Sequence, residues 1–253
     1  MIKYACSLDF KEEGKAVMIR LLGAQRSGWF LLLVLGLLML VPQAEVAAEE
    51  VVLRIDFTHQ PDGDATQWLK QQGFEFKLDA EELNPHFENH RLVLETSGEE
   101  AGLFIRKLSI IGAQRIRITW GVDRYLQGAD WNKGIFRVPI AVMISFGEKR
   151  VSSGSFFVPN SPYFIGLFLG EKAQEGRAYT ANYYHKGGRY FCIPCPSPLG
   201  KTVATEFNFD KAFKQQFGIS PTPPISSFGF QMNTKDTQGG ARAFLKSVEF
   251  IAD

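Results

Sequence analysis

Phe136-Arg-Val-Pro-Ile-Ala-Val-Met-Ile-Ser-Phe146 is the stretch whose reading decides the fold. Phe136, Val138, Ile140, Val142, Ile144 and Phe146 fall on one face, and Arg137, Pro139, Ala141, Met143 and Ser145 on the other. That period of two is the pattern of a long strand with one buried face. Such a strand needs a second layer over its apolar face and neighbours for its backbone groups, so the rest of the chain is expected to supply sheets.

The surrounding segments read the same way. Val51 to Phe57, Phe74 to Leu78, Arg91 to Thr96, Leu103 to Leu108 and Arg115 to Val122 precede the long strand. Gly154 to Val158, Tyr163 to Leu169, Tyr179 to His185, Arg189 to Ile193, Phe228 to Met232 and Ala243 to Ile251 follow it. Hairpins are expected at Ser97 to Gly102 and at Lys186 to Gly188. Two short helices are expected: Asp64 to Gln72, with Asp64 as cap and Gly73 as stop, and Asp210 to Phe217, stopped by Gly218. The fold class is all-β, a jelly-roll-like β-sandwich with two short helices.

Residues 1–48 stand apart as an N-terminal extension and secretory signal peptide. Trp29 to Val41 is an apolar run of thirteen residues, preceded by Arg20 and Arg26 and followed by the small-residue site Val46-Ala47-Ala48. Spanning a bilayer takes about 20 apolar residues, so cleavage after Ala48 is expected rather than a retained anchor. The first seventeen residues lack signal character, which makes Met18 an alternative start. The expectation is a periplasmic or secreted protein with no stable membrane span after cleavage and a single sandwich domain over residues 49–253.

That domain carries 23 Lys or Arg and 23 Asp or Glu, without a basic run, so nothing advertises a nucleic-acid partner. Its two cysteines form Cys192-Ile193-Pro194-Cys195. Redox chemistry at such a pair needs a thiolate at a helix N-terminus, whereas these flanks read as a strand entering a Pro-rich loop. A local disulfide, an idle thiol pair or, with His185, a shared metal site are the other readings. No His spacing suggests a triad or a metalloprotease helix, and no Ser lies in a nucleophile elbow. Neither a catalytic residue nor a cofactor is expected.

The aromatic residues are more informative. A sugar ring stacks its C–H face on Trp or Tyr while planar polar side chains bond its hydroxyls. Asp123, Tyr125, Asp130, Trp131 and Asn132 make that mixture on the loop from Asp123 to Gly134, and Tyr183, Tyr184 and His185 make another. These rings either contact a ligand or cap the core with their tips wet. Trp120 shares its parity with Ile116, Ile118 and Val122 and belongs to the core. Arg115, Arg117 and Arg137 point outward from two strands read as adjacent; they form either a solvated face or a cluster for an anionic ligand.

Leu92 to Ile110 (LVLETSGEEAGLFIRKLSI), Arg115 to Asp123 (RIRITWGVD), the long strand and Phe228 to Ile251 (FGFQMNTKDTQGGARAFLKSVEFI) come in an order that resembles an exported bacterial family, the domain of unknown function numbered three-zero-four-seven. The resemblance covers most of residues 90 to 252. It implies a single jelly-roll akin to carbohydrate-binding modules and names no activity. The chain departs from that family by having Ile118 and Trp120 where two aromatics are usual, and Asn233 to Thr237 where the last loop is commonly richer in aspartate. The expected function is non-catalytic binding of a glycan or cell-envelope component. The alternatives are a glycan hydrolase or lyase, and a structural or protein-interaction domain.

Overall fold

The computed structural model describes residues 49–253; the expected signal peptide, the expected cleavage after Ala48 and the alternative start at Met18 lie outside the described residues. In chain order the strands are β1 (Glu50–Asp56), β2 (Gly63–Asp64), β3 (Phe74–Leu78), β4 (His86–Phe87), β5 (Leu92–Thr96), β6 (Ala101–Ile110) and β7 (Arg115–Arg124). They continue with β8 (Val138–Val151), β9 (Ser161–Leu169), β10 (Gly188–Cys192), β11 (Val203–Asn208), β12 (Ile225–Asn233) and β13 (Ala241–Ala252). Helix α1 (Thr66–Gln71) follows β2, and α2 (Phe209–Phe217) follows β11. One sheet runs β11-β7-β13-β5-β4-β2, with β1 pairing the second half of β13. The other runs β10-β9-β8-β12-β6-β3. All pairings between these strands are antiparallel except β9 with β10. The chain is therefore a jelly-roll-like β-sandwich with two short helices.

The core lies between the sheets, along the stretches of β7 and β8 whose alternation is unbroken. From β7, Ile116, Ile118, Trp120 and Val122 are all fully buried, and from β8 so are Ile140, Val142 and Ile144. Phe104 and Phe230 stack at 4.8 Å, with Phe74 edge-on at 5.3 Å from Phe230. The Trp120 indole donates to the Thr205 hydroxyl at 2.9 Å, which donates to the Ile193 carbonyl at 3.0 Å, so the buried polar atoms are satisfied in a chain. No helix among the described residues is long and apolar enough to cross a membrane.

Several expectations change. A register shift between Gln231 and Asn233 on β12 lies opposite the start of β8, so Val138 pairs out of step with Ala141. That bulge turns Val138 to the outer face, where it joins Phe136, Trp131, Ala141, Phe168 and Tyr179 in a second apolar cluster. Ser97 to Gly102 is not a hairpin: β5 belongs to one sheet and β6 to the other, so this turn crosses the sandwich. Gly154 to Val158 is a loop, not a strand, and its apolar side chains lack a sheet to face. Tyr179 to His185 makes only one antiparallel bridge, Tyr179 to Tyr190, because β10 pairs in parallel with β9 instead. Strand β11 was not anticipated. Asp64 does not cap α1; its carboxylate accepts from the Thr66 hydroxyl, and the N-cap position is Ala65.

The outer face of the first sheet is laced with charge. Arg115 and Arg117 pair with Glu49 and Glu206, Arg115 also with Asp253, and Arg117 with Glu249 at 3.3 Å. A second group joins Arg91 to Asp123 at 2.9 Å, and Arg242 to Glu88 at 2.7 Å and to Glu95. Hydrogen bonds from Arg242 and Arg91 hold the Glu88 carboxyl at about 2, below its ordinary 4.5. Partial burial pushes Asp56 up, but the Thr58 hydroxyl and amide and the Arg54 guanidinium outweigh it and bring the group from 3.8 to about 2. Both folded values lie below the unfolded ones, so this stabilisation is fully present above the unfolded pKa and is lost as pH falls through the folded one. Urea midpoints should be level from neutrality to about pH 5 and fall between about pH 4.5 and 2. Glu88→Gln should shrink that fall; an unchanged acid limb in the variant would show that the pair contributes nothing.

Candidate functional site

The outer face of the second sheet is a groove, and the backbone register explains why. One row across it reads Lys107, Ser227, Ser145, Phe164, Gly188; the next Ile105, Gly229, Met143, Gly166, Tyr190; the next Leu103, Gln231, Ala141, Phe168, Cys192. Ser227, Ser145 and Gly229 keep the floor low along β12 and β8, between Lys107, Ile105 and Leu103 on β6 and Phe164, Phe168 and Tyr190 on β9 and β10. The glycines are spatially required. A Cβ on Gly166 would lie 2.6 Å from the Tyr190 ring, and one on Gly188 would lie 2.4 Å from the Phe164 ring.

At one end of this groove lies a cavity of about 160 Å³, bounded by Trp131, Phe136 and Arg137 on one side and by Asn182, Tyr183 and Tyr184 on the other. Gln231 and Asn233 form part of its lining. A larger cavity, about 1020 Å³, continues along β6, β8 and β12, bounded by Lys107, Glu148, Arg150 and the segment Pro159 to Pro162. Tyr184 lines both, so they adjoin. Two separate sequence clusters, the loop around Trp131 and the Tyr183-Tyr184 pair, thus meet on one face.

The side chains there have distinct states. Tyr183 is 47% exposed, while Trp131 is 6% exposed and stacked on Phe168 at 4.1 Å. The Trp131 indole donates to the Arg137 carbonyl at 3.0 Å. Trp131 is a wall of the groove, not an open platform, because the second apolar cluster closes over it. Arg137 donates to the Lys235 carbonyl at 2.6 Å and pairs with Asp236. The Tyr184 hydroxyl donates to the Pro159 carbonyl at 2.8 Å. Burial pushes the Tyr184 and Tyr190 phenols up, so both are neutral hydrogen-bonding groups near neutrality.

The other candidates are elsewhere. Arg115 and Arg117 lie on the first sheet and Arg137 beside the second, so the three guanidinium groups do not share a face. The strands read as adjacent, β7 and β8, belong to opposite layers. Asp123 is engaged by Arg91. The Tyr125 hydroxyl donates to the Ser197 carbonyl at 2.9 Å, and burial pushes the phenol up to about 12. Asp123 and Tyr125 border a different cavity with Glu171 and Lys172. Asn132 accepts from the Tyr179 hydroxyl at 2.7 Å, behind Trp131, and Asp130 Oδ2 lies 3.5 Å from Lys133. Cys192 and Cys195 are joined in a disulfide at the end of β10, with no helix N-terminus there; this excludes shared metal binding with His185 in this state. Gln231, Asn233 and Asn182 were not anticipated. Alternation in Phe228-Gly-Phe-Gln-Met-Asn233 puts Gln231 and Asn233 opposite Phe228, Phe230 and Met232, so two of the three were open to the same parity reading.

No family model matches the chain, the numbered family above included, and no curated protein matches it. Among solved structures it is similar to the potassium-bound carbohydrate recognition domain of Emp46p, at 13% identity and a TM-score of 0.40, covering 79% of this chain and 96% of that one. It is also similar to the native family 12 xyloglucanase from Bacillus licheniformis, at 11% identity and a TM-score of 0.37, covering 81% and 99%. A third is the VIP36 exoplasmic/lumenal domain with Ca2+ and Man3GlcNAc, at 9% identity and a TM-score of 0.35, covering 81% and 90%. Likenesses of this strength assign neither a family nor a ligand.

Proposed function

We propose that this is an exported, non-catalytic domain that binds a carbohydrate chain of the cell envelope or its surroundings along the groove of the second sheet. The observation that carries the reading is the convergence of Tyr183, Tyr184, Asn182, Gln231 and Asn233 around one cavity. An exposed phenol ring offers a stacking face, and three side-chain amides offer donors and acceptors to hydroxyls. Arg137 is neutralised by Asp236, which suits an uncharged sugar at this end. Hydrolysis of a glycoside takes two carboxylates, and the two cavities together are lined by one, Glu148. The Cys192–Cys195 disulfide supports an oxidising compartment, in line with export.

A glycan array probed with residues 49–253 is the first experiment. Tyr183→Ala and Gln231→Ala are each expected to weaken binding to any hit about 5- to 50-fold, the worth of roughly 1 to 2.3 kcal/mol, with unchanged thermal melting. Undiminished binding in both variants would remove the groove from consideration. Release of a shortened glycan by the parent would replace binding with hydrolysis or lysis.

A further inference from the structure

The loop between β8 and β9 ends in two phenylalanines that the sandwich does not use. Phe156 is 96% exposed and Phe157 91%, with ring centroids 5.6 Å apart. The loop beneath them is held in place. Ser153 is buried, and its hydroxyl bonds the Ser155 carbonyl at 2.9 Å and the Val158 carbonyl at 2.6 Å. The Ser153 carbonyl accepts from the Tyr184 amide at 2.8 Å, tying the loop to the segment that carries His185 and Lys186. A built base beneath two uncovered apolar rings is a costly arrangement in water, and a covered state would relieve it.

The charge around the base indicates what covers them. Lys149 and Arg150 end β8, and Lys186 adjoins Gly187, whose added Cβ would lie 3.0 Å from Val151. None of these three cations is in an ion pair with a described residue, and Glu148 is the acidic residue beside them in sequence. Apolar rings at a tip with Lys and Arg behind them match a bilayer interface, where the rings enter the acyl boundary and the cations meet anionic headgroups. A sugar platform is less well matched, since phenylalanine has no polar tip for hydroxyls and these two rings contact each other rather than the aromatics of the groove. We infer that the Phe156-Phe157 tip docks the domain peripherally on an anionic phospholipid surface.

The test is flotation of residues 49–253 with vesicles of phosphatidylcholine alone or containing phosphatidylglycerol, after a cooperative melt has shown that this segment is folded. The domain should float with the anionic vesicles, and salt should reduce binding. Phe156→Ser with Phe157→Ser should lower partitioning about tenfold or more while leaving the melting temperature in place. Lys149→Gln with Lys186→Gln should lower it about fivefold or more, on anionic vesicles only. Equal, weak partitioning to both vesicle types would overturn the inference, as would a double serine variant that floats like the parent. Loss of glycan-array binding in the serine variant with no change in flotation would assign the rings to the groove instead. Because the variants at Tyr183 and Gln231 are expected to float normally, failure of the glycan reading and failure of this one are separable.

Discussion

Trp131→Ala should lower folding stability by about 3–5 kcal/mol, the usual loss when a large aromatic is removed from a packed site. Trp131 is covered by Phe168 at 4.1 Å, Phe136 at 5.0 Å and Tyr179 at 5.6 Å, and its indole N–H holds the Arg137 carbonyl. Removing it opens a void in the second apolar cluster and frees the segment that places Phe136 and Arg137 on the groove wall. Urea unfolding measures the cost. A surface platform would show a change within about 0.5 kcal/mol, and that result would mean the ring is not core. Any loss of binding in this variant would follow from lost order, so the more exposed Tyr183 is the better probe of ligand contact.

Gly240→Ala is the other large effect. Gly240 has a φ of +57°, where an L side chain is strained, and its added Cβ would lie 1.9 Å from the Thr96 carbonyl oxygen and 2.6 Å from Ser97 Cα. Those atoms begin the turn that carries the chain from β5 across to β6 in the other sheet. Backbone strain of about 1–3 kcal/mol and a steric term of similar size lead to an expected loss of roughly 2–6 kcal/mol. Gly176→Ala is the control: its φ is +68°, but nothing lies within 4 Å of the added Cβ, so it should show the strain alone. Equal losses in the two variants would mean the crossing turn yields to the new methyl group.

The core was legible wherever a strand kept its period without interruption. Trp120 could be placed from Ile116, Ile118 and Val122 alone because the register shift opposite Thr119 and Trp120 puts its extra residue on β13 and leaves the alternation of β7 unbroken. The same reading of β8 held from Ile140 to Phe146 and failed at Val138, since a bulge reverses parity and leaves no mark in the side-chain pattern. Sheet membership was less accessible. Leu92 to Ile110 looks like a hairpin by spacing, yet pairing with β13 and β12 sends its two strands to different layers, a choice made by residues more than a hundred positions away. Gly154 to Val158 was apolar enough to read as a strand, but apolarity does not state whether a side chain finds a partner.

Several residues of the candidate groove were picked out by type, and their assembly was not. Trp131, Arg137, Tyr183 and Tyr184 were all singled out, and it is the parallel pairing of β10 with β9 that brings the last two beside the first two. The arginine cluster failed for the complementary reason. Arg115 and Arg117 have carboxylates from both termini of the domain within reach, Glu49 and Asp253, which sequence distance conceals.

Hydrogen–deuterium exchange on residues 49–253, with and without a glycan identified on the array, tests the placement of the ligand most directly. Protection should appear in Phe136 to Val138, Ala181 to Tyr184 and the end of β12 near Gln231, and be absent from the Arg115–Glu206 face of the first sheet. Protection confined to that charged face, or to the loop from Asp123 to Ala129, would contradict the assignment of the groove.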